Sequence, residues 1–188
     1  TRFNEIDVPV YTELILGLPG ETEETWAAGI EQILQSGLKN QLIIPNLQVY
    51  PNTELADPEY LKKFGIVTHL IPLTQIHGSI RSGNLVTEYE DIVITTDSMP
   101  LDKWRRMRIF SWFTMLLHSL KLGFFVLYYL NDRHGIAYTD LISYISSGSM
   151  SEGTGEILRK ELAVFEAEID RTLEGEGQGS ELPEFGNI

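Results

Sequence analysis

The sequence LILGLPGET at residues 14–22 decides the fold class of this chain. An apolar run, typical of a buried strand, leads into a Gly-Leu-Pro-Gly corner and then into an acidic helix start. Glycine at positions 17 and 20 permits positive φ and a close approach of a ligand to the main chain. In parallel α/β folds, ligands bind at the carboxyl ends of strands, which is where this corner lies. The three glutamates at residues 21–24 argue against a phosphate ligand, and a tight turn without any ligand is the alternative.

The residues around the corner predict a βαβ unit. Residues 8–16 have the pattern of a strand, residues 22–36 that of an amphipathic helix, and residues 42–50 that of a second strand. Two strands joined in this way by one helix are expected to be parallel, with a right-handed crossover.

Both predicted strands carry polar side chains that need a partner. Glu13 points away from the apolar layer of the first strand, and Asn46, Gln48 and Tyr50 share one face of the second. If the strands are neighbours, we expect these four side chains on the same side of the sheet. Such a polar row is typical of a barrel interior that binds a polar ligand, although a solvent-facing sheet explains the spacing equally well.

The rest of the chain changes character near residue 97. Residues 66–84 lack a clear period and predict a long loop or a strand edge, and residues 86–96 fit either a short strand or a helical turn. We therefore predict an α/β part over residues 1–96, a helical domain over 97–175 and a disordered tail over 176–188.

Residues 109–130 form a strongly apolar stretch with His118 and Lys121 near its middle. A charged side chain at the centre of a bilayer costs about 2.5–3.5 kcal/mol. We therefore predict a buried helix, or two helices broken near residue 122, and no membrane span.

Composition excludes several classes of function. The 27 acidic residues against 14 basic ones give a net charge of −13, which disfavours binding to nucleic acid and to anionic membranes. The chain has no cysteine, so it has no disulfide, no thiol nucleophile and no thiolate ligand for zinc or an iron–sulfur cluster. The first residues lack the apolar core of a signal peptide, and we expect a cytoplasmic protein.

The histidines predict neither a metal site nor a catalytic residue. Their spacing matches no metal-ligand pair, and no Ser-His-Asp order or nucleophile elbow is present. His118 is expected in the core. His77 and Arg81, in the segment 66–84, either reach a substrate or are solvated.

Several motifs in order resemble radical S-adenosylmethionine enzymes. Residues 13–22, followed by Trp26, resemble a late strand–loop–helix unit of that superfamily. The sequence QVYPNTEL at residues 48–55 resembles the next strand and its exit in the group with an N-terminal cobalamin-binding domain. Residues 88–93 and 98–104 also resemble that group, so that the resemblance covers residues 8–135.

The resemblance implies an α/β fold made of the last βα units of a partial (β/α) barrel, followed by a C-terminal helical domain. In that family, a [4Fe–4S] cluster on a CxxxCxxC loop cleaves S-adenosylmethionine to a 5′-deoxyadenosyl radical, and cobalamin is a further cofactor. Gly17, Leu18, Pro19 and Gly20 would help to hold the adenosyl group. Glu13, Gln48 and Tyr50 would face the substrate or cofactor.

This chain departs from the family pattern because it has no cysteine and lacks the early barrel strands. It also begins at Thr1 rather than at a methionine. We therefore expect a fragment that retains no cofactor and is inactive alone, from an enzyme that catalyses methyl transfer or, like the anaerobic magnesium-protoporphyrin ester cyclase, an oxidative cyclisation or rearrangement.

The expected partners are the missing N-terminal part of the same polypeptide, a small-molecule substrate and, through exposed strand edges, a second copy. A stand-alone, non-catalytic α/β binding or interaction domain is the alternative. The helical half is a candidate substrate-recognition or dimerisation module.

Overall fold

The computed structural model describes positions 6 and 8 and residues 10–73, 88–151, 153 and 155–175, which form a mixed α/β structure. The strands are β1 (Thr12–Glu13), β2 (Leu42–Ile43), β3 (Val67–Pro72) and β4 (Tyr89–Thr95). The helices are α1 (Glu23–Gln35), α2 (Pro58–Lys63), α3 (Leu101–Thr114), α4 (Phe124–His134), α5 (Tyr138–Ser146) and α6 (Glu156–Leu173). The predicted tail at 176–188, together with His77 and Arg81, lies outside the described residues.

The two strands of the predicted βαβ unit pair in parallel, but their regular pairing is short. The N–H groups of Leu14 and Leu16 donate to the second strand at 3.0 and 2.9 Å, and Leu47 donates back to the Leu16 carbonyl at 2.8 Å. The intervening donor position, opposite the Leu14 carbonyl, is occupied by Pro45, which has no N–H. This proline interrupts the ladder, and regular strand structure is shorter than the predicted 8–16 and 42–50.

From Leu47 onwards, the second strand also pairs with β4. A bridge joins Gln48 to Ile92, and Val93 donates its N–H to the Leu47 carbonyl at 2.8 Å. The described strands therefore form two two-stranded sheets, β1 with β2 in parallel and β3 with β4 antiparallel, and the bridge from Gln48 to Ile92 links them. Of the two alternatives for residues 66–84, a loop or a strand edge, residues 67–72 form strand β3, and residues 74–84 lie outside the described residues. The open choice at 86–96 is settled as a strand over residues 89–95.

Helix α1 forms where the sequence predicts it. Thr22 accepts the N–H of Thr25 at 3.2 Å, and the Thr25 hydroxyl accepts the N–H of Thr22 at 2.9 Å, which makes a reciprocal capping box. The buried face carries Trp26, Ile30 and Leu34 and packs towards the sheet.

One large apolar cluster joins the sheet to the helices that follow it. It contains Leu16, Leu42 and Ile44 from the first two strands, and it continues through α1, α3, α5 and α6. A second, smaller cluster lies under α2 around residues 47–49 and 93. The helical part after residue 97 thus packs on the same core as the sheet, and the division into two domains at residue 96 stays a prediction.

Side chains from α3 and the π-helical turn Met115–Ser119 cover the far edge of β2. The Ser119 hydroxyl accepts the N–H of Leu42 at 3.0 Å and donates to its carbonyl at 2.7 Å. Farther along the strand, the Ile44 N–H donates to Met115 Sδ at 3.3 Å, and its carbonyl accepts from Arg108 at 3.4 Å. These contacts satisfy backbone groups that a neighbouring strand would otherwise satisfy.

The apolar stretch 109–130 is divided between two helices, which settles the choice left open by its sequence. In the described part of the chain, no single helix is long and apolar enough to cross a membrane. The pair Leu101–Ser119 and Phe124–His134 meets the length and composition criteria only together, and it is bent by 92° at its break. His118 is 1% exposed, as expected of a core residue, and its Nε2 lies 2.8 Å from the Leu38 carbonyl.

Candidate functional site

The Gly-Leu-Pro-Gly corner follows the last bridge between the parallel strands. Gly17 and Gly20 have φ values of +103° and +86°, which L-residues with side chains rarely adopt. A Cβ on Gly17 would lie 3.6 Å from Val93, whereas one on Gly20 would meet nothing within 4 Å. Leu18 is 45% exposed between them, and Pro19 is half-buried. The corner therefore packs on the sheet at one end and is open at the other.

Glu21, immediately after the corner, carries an acceptor without a donor. Its Oε2 atom is buried and has no hydrogen-bond partner, and burial raises the pKa of its carboxyl. Leaving a buried polar atom without a hydrogen-bond partner costs free energy, and a ligand or water molecule that supplies the missing bond removes that cost. The hydroxyl and ammonium groups of S-adenosylmethionine are donors of the required kind, so the corner fits that molecule chemically.

The predicted polar row is wrong about Glu13, which lies on the face of the sheet opposite to Gln48. Each residue from Thr12 to Leu16 is aligned with the residue 30 positions later, and paired residues share a face. Because this offset is even, the odd-numbered residues of both strands, such as Glu13 and Ile43, share one face of the sheet. The even-numbered residues, such as Leu16 and Gln48, share the other face. Glu13 is exposed on the face that the helices leave open.

Asn46 also lies apart from the other predicted residues. It is 7% exposed and lines a small cavity with Trp104, Phe165 and Thr172 on the helix side of the sheet. Its amide nitrogen and oxygen have no partner there, and neither does the indole N–H of Trp104. Asn46 is therefore a core residue rather than part of the polar row.

Gln48 and Tyr50 do come together, and the structure adds Glu90 to them. The Tyr50 hydroxyl donates to Gln48 Oε1, and Gln48 Nε2 donates to Glu90 Oε2. Burial raises the pKa of the Glu90 carboxyl, and the bond from Gln48 opposes that rise. The sequence analysis did not identify Glu90 as a site residue. Glu90 can be placed beside Gln48 only once residues 86–96 are assigned to a strand, and the sequence left that choice open.

A cavity of about 440 Å³ adjoins these three side chains at the end of the second strand. Its apolar wall includes Leu61 of α2, Leu70 of β3, Leu73 immediately after β3 and Tyr89 of β4. Its volume is within the range of small-molecule sites, and its lining combines apolar walls with a few convergent polar groups, as such sites do.

The described residues do not fit an iron–sulfur cluster or another bound metal. The chain has no cysteine to ligate iron. Within the described ranges, no three histidine, aspartate or glutamate side chains are grouped closely enough to hold a metal ion. Any iron–sulfur cluster associated with this site would have to take its cysteine ligands from outside this chain.

The chain matches no protein-family model but is similar to curated bacterial methyltransferases. It is 30% identical over 138 residues to the cobalamin-dependent radical SAM methyltransferase TokK of Streptomyces tokunonensis. It is 28% identical over 138 residues to the 2-(S-pantetheinyl)-carbapenam-3-carboxylate methyltransferase of Streptantibioticus cattleyicolor. Each match covers 73% of this chain but 20% of the relative, so the chain spans about a fifth of the length of the curated relatives it matches.

Proposed function

This chain is related in sequence to a segment of cobalamin-dependent radical S-adenosylmethionine methyltransferases, and we propose that it is the carboxyl-terminal part of such an enzyme. In this proposal, β1, α1 and β2 are the last βα units of a partial (β/α) barrel, and the helices after residue 97 form the C-terminal domain. The reaction of the whole protein is methyl transfer to a small molecule. The 30% identity over 138 residues to a methyltransferase of this kind is the observation that carries the proposal.

The sheet supports a barrel that continues beyond this chain. Among the described residues, β1 pairs only with β2, so its other edge is available to a preceding strand. The side chains of Tyr11, Glu13 and Ile15 are exposed on the face opposite the helices. In a barrel this face is the interior, where Glu13 would face the cofactor or substrate.

The corner would hold the adenosyl part of S-adenosylmethionine. The main chain of residues 17–20 would approach the ligand, and the unpartnered Oε2 atom of Glu21 would accept a hydrogen bond from one of its donors. When bound, S-adenosylmethionine supplies the methyl group and the radical of this chemistry. Cobalamin and a [4Fe–4S] cluster would complete the holoenzyme, with the cluster ligands outside this chain.

The proposal is tested on the full-length polypeptide that contains this chain. After anaerobic reconstitution with iron, sulfide and cobalamin, and with a one-electron reductant such as titanium(III) citrate added to reduce the cluster and the cobalamin, we expect conversion of S-adenosylmethionine to 5′-deoxyadenosine and S-adenosylhomocysteine. A full-length sequence with no cysteine-rich loop, or a reconstituted protein that forms neither product, would contradict it and favour a non-catalytic binding domain.

The role of the corner is tested by substituting two glycines that have similar positive φ values, one inside the corner and one outside it. Gly20 and Gly37 have φ values of +86° and +79°, and neither has an atom within 4 Å of an added Cβ. Gly20→Ala and Gly37→Ala should therefore lower stability by similar amounts, about 1 kcal/mol each. Only Gly20→Ala should weaken binding of S-adenosylmethionine to the full-length protein, as measured by equilibrium dialysis. Equal weakening by both substitutions would remove the corner from the binding site.

The 188-residue chain alone should neither build a cluster nor cleave S-adenosylmethionine. Without cysteine it offers no thiolate to iron. Anaerobic reconstitution of this chain followed by absorbance spectroscopy checks the expectation, and one stoichiometric cluster per chain would refute it.

A further inference from the structure

The cavity beside Gln48, Tyr50 and Glu90 has a polar side whose donors are mostly used within the protein. Tyr50 gives its only side-chain donor to Gln48, and Gln48 gives one of its two N–H groups to Glu90. The remaining side-chain capacity consists of the Tyr50 oxygen lone pairs, the second Glu90 oxygen and the Asp91 carboxylate, together with two donors, one N–H of Gln48 and the hydroxyl of Tyr89. The polar side of the cavity therefore presents chiefly acceptors.

The charge of the residues that line the cavity also favours a ligand that donates hydrogen bonds. Glu90 and Asp91 both line the cavity, and no lysine, arginine or histidine is among the described residues that do so. Burial raises the pKa of the Glu90 carboxyl, so a donor brought by a ligand would offset a desolvation cost that Gln48 offsets only in part. A ligand carboxylate in the same place would meet like charge.

The opposite side of the cavity is apolar and accessible. Tyr50, Leu70 and Tyr89 are 60%, 58% and 58% exposed, and Leu73 is 39% exposed. Large apolar side chains that remain exposed around a concave surface mark ligand or partner sites more often than isolated ones do. A volume of about 440 Å³ suits a small molecule.

We propose that this cavity binds the donor-bearing end of the substrate: an ammonium, amide N–H or hydroxyl group on an apolar body, held by Glu90 through a hydrogen-bonded row that Gln48 and Tyr50 complete. Glu90 acts here as a positioning and specificity-determining residue. The identification of the ligand as substrate rests on the proposed function, whereas the preference for donors over carboxylates rests on the cavity alone.

Three probes with one skeleton test this preference: 4-phenylbutylamine, 4-phenylbutanamide and 4-phenylbutyrate. Their affinities for the full-length reconstituted protein are measured by calorimetry. We expect the amine and the amide to bind at least about threefold more tightly than the carboxylate. Glu90→Gln should remove the preference for the amine over the carboxylate while retaining amide binding. Glu166→Gln, the same change of charge at an exposed position of α6, should alter none of the three affinities.

Tighter or equal binding of the carboxylate would overturn the inference, and so would no binding by any probe or equal effects of Glu90→Gln and Glu166→Gln. Circular dichroism of both variants shows whether the fold is retained. Probe binding and S-adenosylmethionine cleavage are scored separately. A protein that binds the amine but cleaves no S-adenosylmethionine contradicts the proposed function alone, and one that cleaves it without discriminating among the probes contradicts the cavity inference alone.

Discussion

Replacing Ser119 by alanine tests how much the helical part contributes to the sheet. Its hydroxyl is the partner of both the N–H and the carbonyl of Leu42, a residue that is fully buried. Ser119→Ala removes both bonds and inserts no new atom. Neither backbone group gains another protein partner from this substitution.

The expected loss of stability follows from the two groups left unpaired. A buried donor or acceptor that loses its partner costs about 1–3 kcal/mol. A cavity of about 320 Å³ adjoins both Ser119 and Leu42, and water entering it can replace part of the lost bonding. We therefore expect Ser119→Ala to lower the free energy of unfolding by about 1–2 kcal/mol in total.

Urea unfolding followed by tryptophan fluorescence measures this loss, with Ser36→Ala as a matched control. Ser36 is exposed, and its hydroxyl donates to the Ile33 carbonyl at 2.6 Å at the end of α1. Its removal should change the free energy of unfolding by at most about 0.5 kcal/mol. If the two variants lose equal stability at unchanged m-value, the hydroxyl of Ser119 does not stabilise the edge of β2.

Three further substitutions test other parts of the structure. The buried indole N–H of Trp26 donates to the Ser111 hydroxyl at 3.0 Å, and Ser111→Ala leaves it without an acceptor. This substitution should lower the free energy of unfolding in urea by about 1–3 kcal/mol, and an unchanged stability would contradict a role for this bond. Gly65→Ala places a Cβ at φ +58° against the Asp97 carboxylate and should cost about 1–2 kcal/mol by the same assay, and an unchanged midpoint would refute the strain. Burial raises the pKa of Glu21, so the folded state binds its proton more tightly than the unfolded state does, and ionisation above that pKa lowers stability. Glu21→Gln should therefore raise the melting temperature at pH 7, with a gain that fades as the pH falls towards about 4; a pH-independent gain would contradict this cause.

The local elements were predictable because their signals lie within a few residues. The Thr22 cap, the apolar spacing of α1 and Gly37 after its end are all contained in one short segment. Asp57 and Pro58 likewise mark the start of α2, where Asp57 accepts the N–H of Glu59 at 2.8 Å. Helix α1 formed as predicted, and α2 begins with the same kind of local signal.

The sheet was less predictable because its pairing is not local. Pro45 interrupts the ladder because it lacks an N–H group where the Leu14 carbonyl needs a donor. Which carbonyl lies opposite Pro45 is determined only by the register between the two strands. The same register decides the face of Glu13. A one-residue difference in alignment moves every side chain of a strand to the other face, and the sequence pattern does not specify that alignment.

The site was predicted in part for the same reason. Gln48 and Tyr50 are two positions apart on one strand, so their shared location follows from strand periodicity. Glu90 reaches them only because β4 pairs with the second strand beyond Pro45. That contact spans 42 positions along the chain and depends on the pairing of the second strand with β4.

The contacts of Arg108, Met115 and Ser119 with the edge of β2 limit the shape of any larger sheet. They occupy the positions at which a closing parallel strand would have to bond. A sheet that continues through β1 can therefore curve round but cannot return to β2 as a ring. The helices that complete the core thus also fix where the sheet stays open.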